Sequence, residues 1–213
     1  MPARVRSRRP LDLVRTHARE YRPTRRPLLV NLRNAQYLTV TGKGRPGGRE
    51  FQEDLRALYG TAYALKFLER QRGHDFRVPM LERIYQPAEG SRWPLPAHRP
   101  MRWRLLVRVP EGIGRNDVAE ARRRRRARRG KEPASVRLWT AREGRCIQML
   151  HVGAYDAEPG TIAQMQEAAQ AEGLRLVGPH HEIYFSDPHR VPAARLHTVI
   201  RIPVRPATPR RRR

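Results

Sequence analysis

The residues best able to do chemistry gather in one short segment, His180-His181-Glu182-Ile183-Tyr184-Phe185-Ser186-Asp187-Pro188. In a strand, successive side chains point to opposite faces. His181, Ile183 and Phe185 then share one face, which reads as core. Glu182, Tyr184 and Ser186 share the other, which sets a carboxylate beside a phenol. A carboxylate lining a water-poor cleft has its pKa raised and becomes a candidate acid or base. One facing solvent, or paired with an arginine, does no such work, and the residues alone leave both readings open. The same alternation argues against a metal, because His181 and Glu182 cannot easily face one ion and no H-E-x-x-H or cysteine partner joins them. Cys146, mid-strand among Ile147, Met149 and Leu150, reads as a buried, inert thiol. Ser186 lacks the G-x-S-x-G elbow of a serine nucleophile. Gly42, Gly44 and Gly47 match G-x-G-x-x-G, but Pro46 interrupts the loop and no parallel βα units follow, so the stretch reads as a turn.

The surrounding elements repeat. Tyr37 to Val40 reads as a strand closed by Gly42. A long helix follows, with Phe51, Leu55, Leu58, Ala62 and Leu65 as its apolar stripe and Gly73 as its stop. Phe76 to Tyr85 and Met101 to Val109 read as two strands, the second alternating cleanly between apolar residues and arginine. The order returns after position 136: a strand from Cys146 to Val152, a helix over about Thr161 to Glu172 with Ile162, Met165 and Ala169 inward, then strands at His181–Phe185 and His197–Val204. Two β-α-β-β units related by a pseudo-two-fold make one α+β domain, with a ligand cleft between the halves. The aromatic residues near that cleft are Tyr59, Tyr63, Tyr85, Trp93, Trp103, Trp139, Tyr155 and Tyr184, and flat ligands stack on such surfaces. Trp103, on the apolar face of its strand, reads as core.

Charge divides the chain further. The 213 residues carry a formal net charge of +25, with 45 basic against 20 acidic residues. Segments 1–27, 115–131 and 201–213 hold 20 of those 25 charges. The boundaries that follow are a disordered Arg-rich arm at 1–27, the domain at 28–204, and a disordered Arg-rich tail at 205–213. Within the domain, halves at about 28–110 and 136–204 flank an Arg-rich connector at 111–135. Such segments can contact phosphates without reading sequence. No aromatic residues are interleaved with them, so they offer no stacking platform for single strands. One cysteine excludes a disulfide framework. No apolar run approaches the roughly 18 residues of a membrane span, and no secretory signal is visible, so a soluble, cytoplasmic protein is expected.

Several segments resemble the GyrI-like small-molecule-binding family. They are Tyr37-Leu38-Thr39-Val40-Thr41-Gly42-Lys43-Gly44 before Glu50-Phe51-Gln52, the helix end Leu58-Tyr59 to Phe67, and Gly144 to Asp156 with Glu158-Pro159 and Thr161. The segments His181 to Pro188 and Thr198 to Val204 also fit, so the likeness runs from about Tyr37 to Val204. The resemblance implies the tandem fold with its cleft. It also implies kinship with a stand-alone subgroup that hydrolyses cyclopropane rings of DNA-alkylating cyclopyrroloindoles, and with effector domains whose cleft carboxylate meets flat cationic drugs. Glu182 matches the motif glutamate, and Tyr155 and Tyr184 match motif tyrosines. Leu81-Glu82-Arg83-Ile84-Tyr85-Gln86 keeps a glutamate but has Tyr85-Gln86 where the subgroup has a Trp pair. The expected activity is detoxifying, hydrolytic ring opening without metal or cofactor. Glu182 or Glu82 would orient or deprotonate water, and Tyr155 or Tyr184 would donate to the oxygen that gains charge. Tyr59, Tyr63, Tyr85, Trp93 and Trp139 would hold the ligand. The alternatives are a drug-binding or ligand-sensing protein without chemistry, with Glu182 as counter-ion to a cation, and a nucleic-acid-associated protein acting through its Arg-rich arms.

Overall fold

A computed structural model describes residues 9–22, 24–86, 101–129 and 136–207. In chain order the elements are α1 (Leu13–Thr16), α2 (Ala18–Tyr21), β1 (Leu28–Asn31), β2 (Ala35–Gly44), α3 (Arg49–Gln71), β3 (Glu82–Gln86) and β4 (Met101–Arg108). Then come α4 (Arg115–Arg129), β5 (Arg137–Ala141), β6 (Arg145–Val152), α5 (Glu158–Ala171), β7 (Leu174–Leu176), β8 (His181–Tyr184) and β9 (His197–Pro206). No helix among the described residues is long and apolar enough to cross a membrane.

The sheet order β1-β6-β9-β8-β3-β4-β2-β5, with β7 added on β9, displays the repeat. The unit β2-α3-β3-β4 contributes β2, β4 and β3; the unit β6-α5-β8-β9 contributes β6, β9 and β8 in mirrored order. They meet at the antiparallel β3–β8 pair, which is the pseudo-two-fold seam. The outer strands are exchanged: β1, which leads the first unit, pairs with β6, and β5, which leads the second, pairs with β2.

Alternation along the strands builds two layers. From β4, Trp103, Leu105 and Val107 pack with Leu38 and Val40 against the α3 stripe of Phe51, Leu58, Ala62 and Leu65. From β6 and β9, Ile147, Met149, Ile200 and Ile202 pack against Ile162, Met165 and Ala169 of α5. Gly42 is explained by this packing. A Cβ there would fall 2.1 Å from Asp54 Oδ2 and 2.6 Å from Trp103 Nε1, the two atoms that make a buried hydrogen bond of 2.9 Å.

The N-terminal boundary needs correction. Residues 9–22, read as part of a disordered arm, cover the sheet face opposite the helices. Leu11 bridges Phe76, Leu13 is buried, and Tyr21, 3% exposed, packs on Ile183 and Val199. Glu20 pairs with Arg108 at 2.6 Å, and the Glu20 carbonyl accepts from Arg201 Nη2 at 2.8 Å. The arginine and proline content hid a short amphipathic lid. The region 111–135 is also more than a connector, because Arg115–Arg129 forms α4, whose Val118 and Ala121 pack on the α3 core. Of the strand expected over Phe76–Tyr85, only Glu82 onward pairs within the sheet; Phe76 makes just its bridge to Leu11.

Candidate functional site

The β3–β8 register sets the site. Arg83 stands opposite Glu182 across the seam, and both point to the helix side of the sheet. Arg83 Nη2 donates to Glu182 Oε2 at 2.6 Å. His180 Nε2 lies 2.7 Å from Glu182 Oε1, and the Tyr184 hydroxyl donates to Oε2. Glu158, the first residue of α5, sets a second carboxyl group within 4.8 Å of that carboxylate. One carboxylate therefore organises an arginine, a histidine, a phenol and a second carboxyl group.

A cleft of about 940 Å³ opens above this cluster. Phe51, Leu55 and Tyr59 of α3, Met80 and Leu81, Tyr85, Tyr155, Pro159, Tyr184 and Phe185 supply its apolar and aromatic walls. Arg83, Glu158 and His180 supply the polar floor. Tyr85 stacks on His180, with ring centroids 4.6 Å apart and an interplanar angle of 22°. The Arg83 guanidinium carbon sits 4.3 Å from the Tyr85 ring centre. Tyr155 meets Tyr184 edge-on at 5.9 Å.

Electrostatics separate the two carboxyl groups. Burial alone would raise Glu182, but the charge of Arg83 and the hydrogen bonds from His180 and Tyr184 outweigh it and hold its pKa below the ordinary range. Burial raises Glu158, and the neighbouring Glu182 charge raises it further, against a smaller opposing pull from Arg83. These opposite shifts make Glu158 the group that holds a proton and Glu182 the one that gives it up. Glu158 Oε1 is buried without a hydrogen-bond partner among the described residues.

The residues that the sequence points to divide accordingly. Tyr59, Tyr85, Tyr155 and Tyr184 line the cleft. Glu182 joins their cluster but is 0% exposed and lies behind the lining rather than in it. Glu82 is not in the cleft, a correction that strand alternation explains: it precedes Arg83 and so points to the opposite face. There it accepts from the Tyr21 hydroxyl at 2.6 Å and lies 2.9 Å from His181 Nε2. Tyr63 and Trp139 also fall outside the lining. Tyr63 is half exposed further along α3, and Trp139 lies under the Arg104 guanidinium at 4.8 Å. Trp93 lies outside the described residues. The sequence reading missed Arg83, His180 and Glu158 as a set. The i, i+2 spacing of His180 and Glu182 was visible, but the Arg83 and Glu158 contacts required the seam and the α5 position.

Glu158, His180 and Glu182 offer ligand atoms all within 4.8 Å of one another, the geometry of a metal-binding trio. Arg83 already holds a positive charge beside Glu182. Cys146 lies on the other sheet face; burial, then the Glu143 charge, push its thiol up to about 12, which leaves it inert.

This fold and cleft define a two-repeat small-molecule-binding domain. Residues 117–205 match the GyrI-like small molecule binding domain. An uncharacterized conserved protein from Listeria innocua is 32% identical, with a TM-score of 0.85 over 92% of this chain and 100% of that one. A hydrolase from the same organism is 30% identical, with a TM-score of 0.84 over the same shares, 92% and 100%. The chain belongs to the GyrI-like family. The EcmrR C-terminal domain, 11% identical with a TM-score of 0.54 over 85% of this chain and 98% of that one, shares the fold. No curated protein matches the chain.

Proposed function

We propose that this protein binds flat, neutral, largely apolar molecules in the cleft and hydrolyses electrophilic ones by ring opening. The observation that carries the reading is the placement of Glu158 beside the Arg83-bound Glu182 at the floor of an aromatic cleft. The hydrolase from Listeria innocua, alike over its whole length, supports it. The ligand-binding unit is the pair of repeats within residues 28–204.

For a cyclopropane conjugated to a carbonyl, Tyr59, Tyr85 and Tyr155 position the ring system. Water attacks the ring carbon and gives its proton to the unpartnered Glu158 oxygen, while the proton already on Glu158 moves to Glu182. The breaking C–C bond leaves its electron pair on the conjugated system, whose oxygen becomes a phenolate. Tyr155 donates a hydrogen bond to that oxygen as its charge grows. The carboxyl pair then returns one proton to the phenolate, leaving an alcohol and a phenol, with the protein restored. Glu158 is the group that meets the reacting water; Glu182 acts through it.

The full burial of Glu182 favours a second reading, a ligand-binding or sensing protein without chemistry. In either reading Arg83 neutralises Glu182, which disfavours its use as counter-ion to a cationic drug. Incubation with a cyclopropane-bearing cyclopyrroloindole, followed by mass spectrometry, separates the two. Hydration product lost in Glu158→Gln and Glu182→Gln supports hydrolysis. Ligand retained without product selects the binding protein.

A further inference from the structure

The outer face of α3 carries an arrangement that neither the cleft nor its chemistry uses. Arg56, Tyr63, Phe67 and Arg70 are spaced at i, i+7, i+11 and i+14 and so share one side of the helix. All four are exposed, with Tyr63 at 48% and Phe67 at 47%. Tyr59, at the cleft wall, lies 6.4 Å from Tyr63 ring to ring, so the aromatic row continues outward from the cleft.

Beside this row runs α4. Gly60 admits it closely: a Cβ there would fall 2.3 Å from Arg125 Nε. Arg125 Nη2 reaches the Arg56 carbonyl at 3.4 Å, which registers the two helices. The two acids of α4, Asp117 and Glu120, are held by Arg72 at 2.5 Å and Arg124 at 2.7 Å. Both lie in its first half, and the stretch from 121 to 129 contains seven arginines and no acid. Arg123 and Arg126 are exposed. Folding thus sets an arginine-rich helix beside the helix that carries the aromatic rings.

We infer that the α3–α4 outer face is a binding surface for single-stranded nucleic acid. Bases stack on Tyr63 and Phe67, and the phosphates run along Arg56, Arg70 and the exposed α4 arginines. A basic track beside rigid aromatic rings is the arrangement that single strands use, and it tolerates any sequence. A duplex hides its base faces and gains only the charge.

The test uses the full chain, a fluorescently labelled oligothymidine, a duplex of equal length, and phosphatidylserine vesicles. Tyr63→Ser/Phe67→Ser is expected to weaken oligothymidine binding at least tenfold and to change duplex binding little. Replacing Arg56 and Arg123 by Gln is expected to reduce the slope of log affinity against log salt by about 1.4, two phosphate contacts' worth. Circular dichroism and melting temperature confirm that each variant folds. Wild-type oligothymidine affinity in the aromatic variant, with the fold retained, overturns the inference and assigns any binding to the chain's other basic segments. Preference for vesicles over oligothymidine overturns it in favour of a membrane surface.

Discussion

Replacing Glu158 by Gln should change how stability depends on pH. Glu158 is buried beside the Glu182 charge, and its pKa is raised to about 9 from an ordinary 4.5. Above pH 4.5 the unfolded chain has released this proton and the native protein still holds it. The stabilisation from that proton is complete below pH 4.5 and is lost as pH climbs toward the raised value, at about 1.4 kcal/mol per pH unit. Between pH 5.5 and 7.5 the wild type should therefore lose about 3 kcal/mol relative to Glu158→Gln. For a chain of this size that is a relative shift of about 6–12 °C in melting temperature. Glu182 does not interfere. Its depressed pKa gives stability that is fully present above pH 4.5 and lost only on acidification. His181 lies on the other face, where burial pulls it down but Glu143 and Glu82 prevail and hold it up at about 9. It slopes stability the same way as Glu158 but equally in both proteins, so the difference isolates Glu158. The assay is paired thermal melts across the window. Parallel curves for wild type and variant would refute a protonated Glu158 and require it to be ionised.

Other perturbations probe other parts of the molecule. Arg83→Met should cost about 3–5 kcal/mol in chemical denaturation, because it leaves Glu182 buried and unpaired; Arg83→Met/Glu182→Leu should recover most of the loss. Tyr21→Phe removes the hydrogen bond to buried Glu82 and should cost about 1–3 kcal/mol, with faster amide exchange confined first to residues 11–22. Gly42→Ala drives a methyl into the Asp54–Trp103 hydrogen bond and should cost about 1–3 kcal/mol, with a shift in tryptophan emission.

Much of this architecture is legible in the sequence, because burial writes its period into the chain. The α3 stripe, the inward face of Trp103, Leu105, Val107 and Val109, and the Glu182/Tyr184 face all occur as the spacing predicts. What the sequence hides is pairing between distant elements. Nothing near Glu182 announces that strand β3 will lie beside it, so the choice between a cleft carboxylate and an Arg-paired one stays open until the seam is seen. In the structure Glu182 is the Arg-paired carboxylate, buried behind the cleft lining, and burial together with its charge raises Glu158. Glu82 misleads because one step along a strand reverses the face. The lid at 9–22 is masked by composition: Leu13 and Tyr21 are buried among arginines whose charged heads dominate any average.

Turnover by the Glu158–Glu182 pair is measured most directly as product formed per protein molecule in ¹⁸O-labelled water. Wild-type protein with an excess of the cyclopropane-bearing cyclopyrroloindole should yield many equivalents of ring-opened product carrying one ¹⁸O in its new hydroxyl group, and Glu158→Gln should yield almost none. No product above the protein-free rate, or a yield that stops at one equivalent, would contradict catalysis and leave a protein that captures its ligand without turning it over.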